Sequence, residues 1–204
     1  PESEDDRKRF AKNVVDRFKR RFTEAIRERD ADCSIFYNSG HIYPDWRPIL
    51  DTYSHLELES LPSGGWGYLH FPLTVRYART LGFDYMAMTG KFHKSWGDFS
   101  SYKNLPALEY DCFTALAYGA KCSVGDQLHP TAKISQATYD LIGAVYAQVE
   151  AKEPWCDGVV PRVEVALFNP EAIGAADARV DTAAAGTQRM LTEAHYQFDV
   201  VDTV

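Results

Sequence analysis

Two hydrophobic rhythms run through the chain. Over 5–29, Phe10, Val14, Val15, Phe18, Phe22 and Ile26 recur at three- and four-residue steps. That spacing predicts an amphipathic helix, with its Lys, Arg, Asp and Glu residues on a solvated outer face. Short apolar runs at 32–37, 84–89 and 120–124 predict buried strands. The run at 55–60 alternates instead: Leu56 and Leu58 share one face, and His55, Glu57 and Glu59 share the other. Helical spacing returns at 71–81, at 106–118 (Leu108, Cys112, Ala115, Leu116) and at 138–150 (Leu141, Ile142, Val145, Tyr146, Val149). Gly82 and Gly119 stand where the first two of these end. The segment 43–53, with two prolines and Trp46, reads as a loop with a short helical turn.

Strand, loop and helix therefore repeat four times, which predicts an α/β fold with a parallel sheet. The repeat of roughly 30–40 residues fits half of a (β/α)₈ TIM barrel, whose eight units take about 250 residues. An open doubly wound sheet is the alternative. The pattern breaks over 153–158. A strand at 162–168, a polar loop over 169–181, a helix at 184–198 (Met190, Leu191, Ala194, Phe198) and a strand onset at Val200 and Val201 follow. These predict the start of a second α/β domain. The expected division is 1–158 for the barrel strands and 159–204 for the second domain.

The net charge of −7 argues against nucleic acid or an anionic membrane as the main partner. No apolar run approaches the roughly 20 residues of a membrane span. Cys33, Cys112, Cys122 and Cys156 are scattered, with no C-x-x-C pair. They read as reduced core thiols, so a cytoplasmic location is expected. No signal peptide is visible, and 1–9 reads as a polar lead-in to a helix rather than a natural start.

Ligands of parallel α/β folds sit at the carboxyl ends of the strands. There the sequence places Asn38 and His41, then Glu57 and Glu59, then His93, Lys94, Trp96 and Asp98, then Asp126, Gln127 and His129. A Gly-rich aromatic stretch, with Trp66 and Tyr68, follows the second strand. Carboxylates supply acid, base or nucleophile in sugar cleavage, and an indole packs on the apolar face of a sugar ring. Glu59, last on its face, is the expected acid/base, with Glu57 one pleat deeper. The alternatives are an ion pair of either Glu with Lys91 or Lys94, and turn-capping roles for Asp98 and Asp126. The histidines lack metal-ligand spacing, so neither a metal nor any other cofactor is expected. No dinucleotide fingerprint, phosphate loop or nucleophile elbow is present.

Three segments, HLELESLPSGGWGYLHFP, MTGKFHKSWGDF and GAKCSVGDQLHP, together resemble parts of α-L-fucosidase and β-galactosidase-like glycoside hydrolases, which join a TIM barrel to a β-galactosidase-type trimerisation domain. The resemblance implies that 34–41, 55–60, 85–89 and 121–125 are barrel strands five to eight, and that 162–204 opens the trimerisation domain, which is flavodoxin-like in that family. It implies a glycoside substrate, a retaining mechanism, and a homo-oligomer, a trimer, for a longer protein. The acid/base role falls on Glu59, or on Glu57 if the register shifts. The nucleophile, a carboxylate after strand four in related fucosidases, falls outside this chain. Asn38, His41, Trp66, His93, Lys94, Trp96, Asp98, Asp126 and His129 become candidates for substrate binding. Enzymes of the β-galactosidase clan carry a nucleophilic Glu at strand seven, where this chain offers only Asp98; a β-galactosidase-like hydrolase is thus the less favoured activity. A non-catalytic carbohydrate-binding or assembly protein with a degenerate barrel, or a free-standing α/β binding domain, is the alternative class.

Overall fold

The computed structural model describes residues 3–174 and 180–204. Helix α1 (Glu4–Arg27) starts at Ser3, whose Oγ accepts from Asp6 N at 3.1 Å. Glu4, Asp5 and Asp6 in its first turn complement the helix dipole. Strand β1 (Leu56–Glu59), helix α2 (His70–Ala78), strand β2 (Tyr85–Gly90), helix α3 (Leu105–Ala117), strand β3 (Lys121–Gly125) and helix α4 (Gln136–Cys156) follow. Then come β4 (Val165–Phe168), α5 (Thr182–Glu193) and β5 (Phe198–Val201). Short 3₁₀ turns occupy Pro44–Thr52, Arg79–Leu81 and Pro170–Ile173.

β1, β2 and β3 form a parallel sheet in chain order, with Leu58 opposite Ala87 and Ala87 opposite Cys122. β4 and β5 form a second, two-stranded parallel sheet. The fold is α/β. Paired residues share a face, so Leu56, Leu58 and Ala87 point into the helix-covered core, and Glu57, Glu59, Met86 and Met88 point the other way. Helix α3 starts on the Asn104 side chain, which accepts from Ala107 N at 2.9 Å, and carries Pro106 in its first turn. It closes at Gly119, whose φ of +75° costs no Cβ strain. α2 is buried on nearly all sides: it lies against β1 and also against Phe198 and Val200 of β5.

Several expectations change here. Residues 32–37, and the strand over 34–41 that the resemblance implied, are not strand. Ile35 N instead donates to Ser54 Oγ (2.7 Å) and Ser54 N donates to Ile35 O (2.8 Å). A side-chain oxygen has replaced one partner of a ladder, and no second rung follows. Among the described residues the sheet that includes β1 thus has three strands, not four. Helix α4 runs through Pro154 to Cys156, where the sequence pattern had broken. Proline removes one N–H, and the ladder resumes with Asp157 N donating to Glu153 O at 3.0 Å. The last helix stops at Glu193 rather than reaching Phe198. His195 takes a left-handed φ of +61°, and Phe198 becomes the first residue of β5. The expected loop over 169–181 opens with a 3₁₀ turn, and its 175–179 stretch lies outside the described residues.

The largest difference is in α1. Its apolar stripe is the exposed one, with Phe10, Val14, Phe18 and Phe22 between 47% and 65% accessible, and the residues it buries are Lys19 and Thr23. Lys19 Nζ sits 4.1 Å from the ring centre of Trp46 and donates to Tyr53 Oη at 2.7 Å. The aromatic ring faces replace part of its hydration shell. Desolvation nonetheless lowers its pKa.

Candidate active site

The site is built where β1, β2 and β3 end. Glu57 and Glu59 share the face of β1 turned away from the helices, but they do different things. Glu57 is 8% exposed, and its Oε1 is 3.0 Å from Nε2 of His55. Neither Glu pairs with Lys91 or Lys94 among the described residues: Lys91 Nζ donates to the carbonyls of Phe99 (3.0 Å) and Ser101 (3.2 Å). Glu59, partly exposed at the strand's end, accepts from Trp96 Nε1 at 3.3 Å.

Three close approaches seat the aromatic walls. A Cβ on Gly125 would lie 2.5 Å from Cη2 of Trp96, so the indole crosses the end of β3 only because that residue is glycine. A Cβ on Gly40 would lie 2.8 Å from Cη2 of Trp66 and 3.1 Å from Cβ of Glu59. Trp66, Glu59 and the turn at Gly40 are therefore packed together. A Cβ on Gly64 would lie 2.5 Å from the Lys94 carbonyl, which puts the loop after β1 against the loop after β2. Ser63 Oγ reinforces that seam by donating to His93 O at 3.0 Å and meeting His93 Nδ1 at 3.0 Å.

The loop after β2 is clasped from below. Lys103, 2% exposed, donates to Thr89 Oγ1 (2.6 Å) and Asp111 Oδ2 (2.5 Å), and Thr89 Oγ1 donates to Asp111 at 2.7 Å. Lys103 N also donates to Lys91 O at 2.6 Å, closing the base of the loop. From β3's end, Gln127 Nε2 donates to the carbonyls of Trp96 (3.0 Å) and Asp98 (3.1 Å).

Of the expected site residues, the fold brings together Glu59, Trp66 and Trp96, with His93 and Lys94 on the adjoining seam. Asn38 and Lys94 are exposed. His41 is turned inward: it is 4% exposed, and its ring nitrogens face His70 (3.0 Å) and Glu171 (2.9 Å). Asp98 caps its own turn, accepting from Ser101 N (3.3 Å) and Ser101 Oγ, and these bonds hold its carboxyl below the usual range. Asp126 accepts from Gln127 N at 2.8 Å. His129 is exposed and bonds Thr131 Oγ1 at 2.8 Å, within its own turn. The residues missed by pattern reading are those that position others: Gly40, Gly125 and Lys103; the sequence places Gln127 at a strand end, but not its bonds to the neighbouring loop.

Chemically, the site offers one partly exposed carboxylate with an indole N–H on one oxygen and indole surfaces on two sides. Such a carboxylate can pass a proton to or from a bound oxygen. Among the described residues, no group of three or more His, Cys, Asp or Glu side chains is placed to hold a metal ion. None of the described helices is long and apolar enough to cross a membrane.

No protein-family model and no curated protein matches the chain. Among solved structures, the chain is similar to α-L-fucosidase isoenzyme 2 from Paenibacillus thiaminolyticus, at 45% sequence identity and a TM-score of 0.93. The likeness covers 99% of this chain and 31% of that one, so the chain spans about a third of the length of the fucosidase it resembles.

Proposed function

We propose that the chain is part of a retaining glycoside hydrolase that acts on α-L-fucosides. Residues 1–158 supply the second half of a TIM barrel, and 159–204 open a flavodoxin-like trimerisation domain of a homotrimer. The observation that carries this reading is the 45% identity to a solved α-L-fucosidase over 99% of the chain. The site adds chemical support. Glu59 would protonate the leaving oxygen and then activate water, with Trp96 Nε1 holding one carboxylate oxygen in place. Trp66 and Trp96 would wall the sugar. The nucleophilic carboxylate would come from the part of the longer protein that this chain does not span. The exposed stripe of α1 and the methionine-bearing face of the sheet suit contact with that part.

The test is Glu59→Gln in the intact protein. Loss of a general acid costs typically 10²–10⁴-fold, so hydrolysis of an unactivated α-L-fucoside should fall by that much. An aryl fucoside with a good leaving group needs less protonation, and its first step should suffer less. Equal activity of Glu59→Gln and wild type on the unactivated substrate removes Glu59 from catalysis. No turnover of any glycoside by wild type favours a carbohydrate-binding protein.

A further inference from the structure

A buried polar chain leads from the candidate site to the neighbourhood of the second sheet. Glu171 follows β4, and its carboxylate oxygens lie 2.9 and 3.1 Å from His41 Nε2. His41 Nδ1 lies 3.0 Å from His70 Nε2 and 3.3 Å from Thr74 Oγ1. His41, His70 and Thr74 are 4%, 0% and 2% exposed. The His70 ring then packs on Trp66, with centroids 4.4 Å apart. Cη2 and Cζ2 of Trp66 lie against Gly40, where an added Cβ would also come within 3.1 Å of Cβ of Glu59.

The order of donors follows from the carboxylate. An ionised Glu only accepts, so Nε2 of His41 carries the proton. With both rings neutral, Nδ1 of His41 is an acceptor, and His70 must turn its Nε2–H toward it. Each ring is thereby held in one tautomer and one orientation, as in carboxylate–histidine pairs that orient groups elsewhere. We propose that Glu171 is a positioning residue: through His41 and His70 it sets the place of Trp66, and so the wall beside Glu59. Glu171 belongs to the turn after β4, not to the loops that follow β1, β2 and β3. Its contribution comes from a turn 130 residues beyond His41, so the region after β4 shapes the site at the end of β1.

For its kinetic part this inference rests on the glycosidase reading; its spectroscopic part does not. The experiment uses the intact protein labelled with 5-fluorotryptophan, with the Trp66 resonance assigned by Trp66→Phe. In Glu171→Ala the Trp66 resonance should move, while that of Trp155, 82% exposed, should not. Glu171→Gln, which can still accept from His41, should restore it. Glu193→Gln, in an exposed pair with Arg189, should leave it alone. With a glycoside substrate, KM of Glu171→Ala should rise about tenfold with kcat nearly unchanged, since a misplaced binding wall weakens binding before chemistry. Should Glu171→Ala fail to fold, Glu171→Asp should shift the resonance in the same protein, because the shorter side chain draws the carboxylate back. An unmoved Trp66 resonance in a folded Glu171→Ala or Glu171→Asp protein overturns the proposal. A moved resonance with no glycoside turnover by wild type upholds the positioning role and counts only against the activity.

Discussion

Gly125 and Trp96 are fitted to one another: the space a side chain would take at the end of β3 is filled by the indole that bonds Glu59. Overpacking a close contact costs about 1–3 kcal/mol. Gly125→Ala should therefore either lower the melting temperature or push the indole off the carboxylate. Acrylamide quenching of Trp96, in a background with the other tryptophans replaced by Phe, separates these outcomes. An unchanged melting temperature with unchanged quenching would show that the contact yields freely.

Lys103 and Asp111 form a buried pair, with side chains 1% and 6% exposed. Removing one partner strands the other charge, at about 3–5 kcal/mol. Lys103→Met should show that loss in urea unfolding. The double variant Lys103→Met/Asp111→Leu should recover most of it, because two apolar groups leave no orphan charge. Equal loss in the single and double variants would mean that Lys103 acts through its bonds to Thr89 and the loop rather than through Asp111.

Asp202 sets an acid limit. Burial alone would raise its pKa, but hydrogen bonds from Arg47 (2.6 and 3.0 Å), Tyr77 (2.7 Å) and Val204 N override that and bring it to about 2. A carboxyl lowered from its usual 3.8 contributes stability that is complete above about pH 5 and is lost as the pH falls through 2. Melting temperatures of wild type and Asp202→Asn should therefore differ most at pH 5 to 7 and converge near pH 2. A gap that stays constant across that range would assign the effect to packing.

The apolar stripe of α1 gives a comparison between two lengths of protein. Phe18 is 49% exposed here. Phe18→Asp should change the stability of the 204-residue chain by about 0.5 kcal/mol or less, the usual range for surface substitutions. In the intact protein, where the proposed barrel covers that face, the same change should cost about 3 kcal/mol. Similar small effects in both would argue that the stripe stays in water.

Much of this fold was legible in short windows. LELE at 56–59 alternates because one face of β1 meets the helices and the other does not, and that alternation drew attention to Glu59. The helices at 105–117 and 136–156 were legible because their stripes repeat over several turns. What escaped depends on partners far along the chain. Nothing near Lys19 announces that Trp46 and Tyr53 will enclose it. Nothing near His41 announces Glu171. The strand expected at 32–37 had the right composition, but a ladder needs a neighbour in register, and Ser54 supplies one side-chain bond instead. Phe198 fitted a helical stripe because an apolar residue four positions after Ala194 satisfies helix and strand patterns alike. The turn at His195 decided between them.

Helix α2 has a consequence for modularity. Its residues Val75 and Ala78 are fully enclosed, with Leu58 and Ala87 of the first sheet and Phe198 and Val200 of the second in the same core. Each of those large side chains contributes about 1.5–3 kcal/mol when enclosed. Arg76 adds to the joint: its guanidinium lies 3.9 Å from the Phe198 ring centre and 4.6 Å from that of Tyr118. The two sheets should therefore melt cooperatively, with α2 as their shared spine. A chain cut between α4 and β4 would not release two working pieces; it would leave one flank of that spine in water. A change on either sheet is therefore felt by the other, through a helix that both of them enclose.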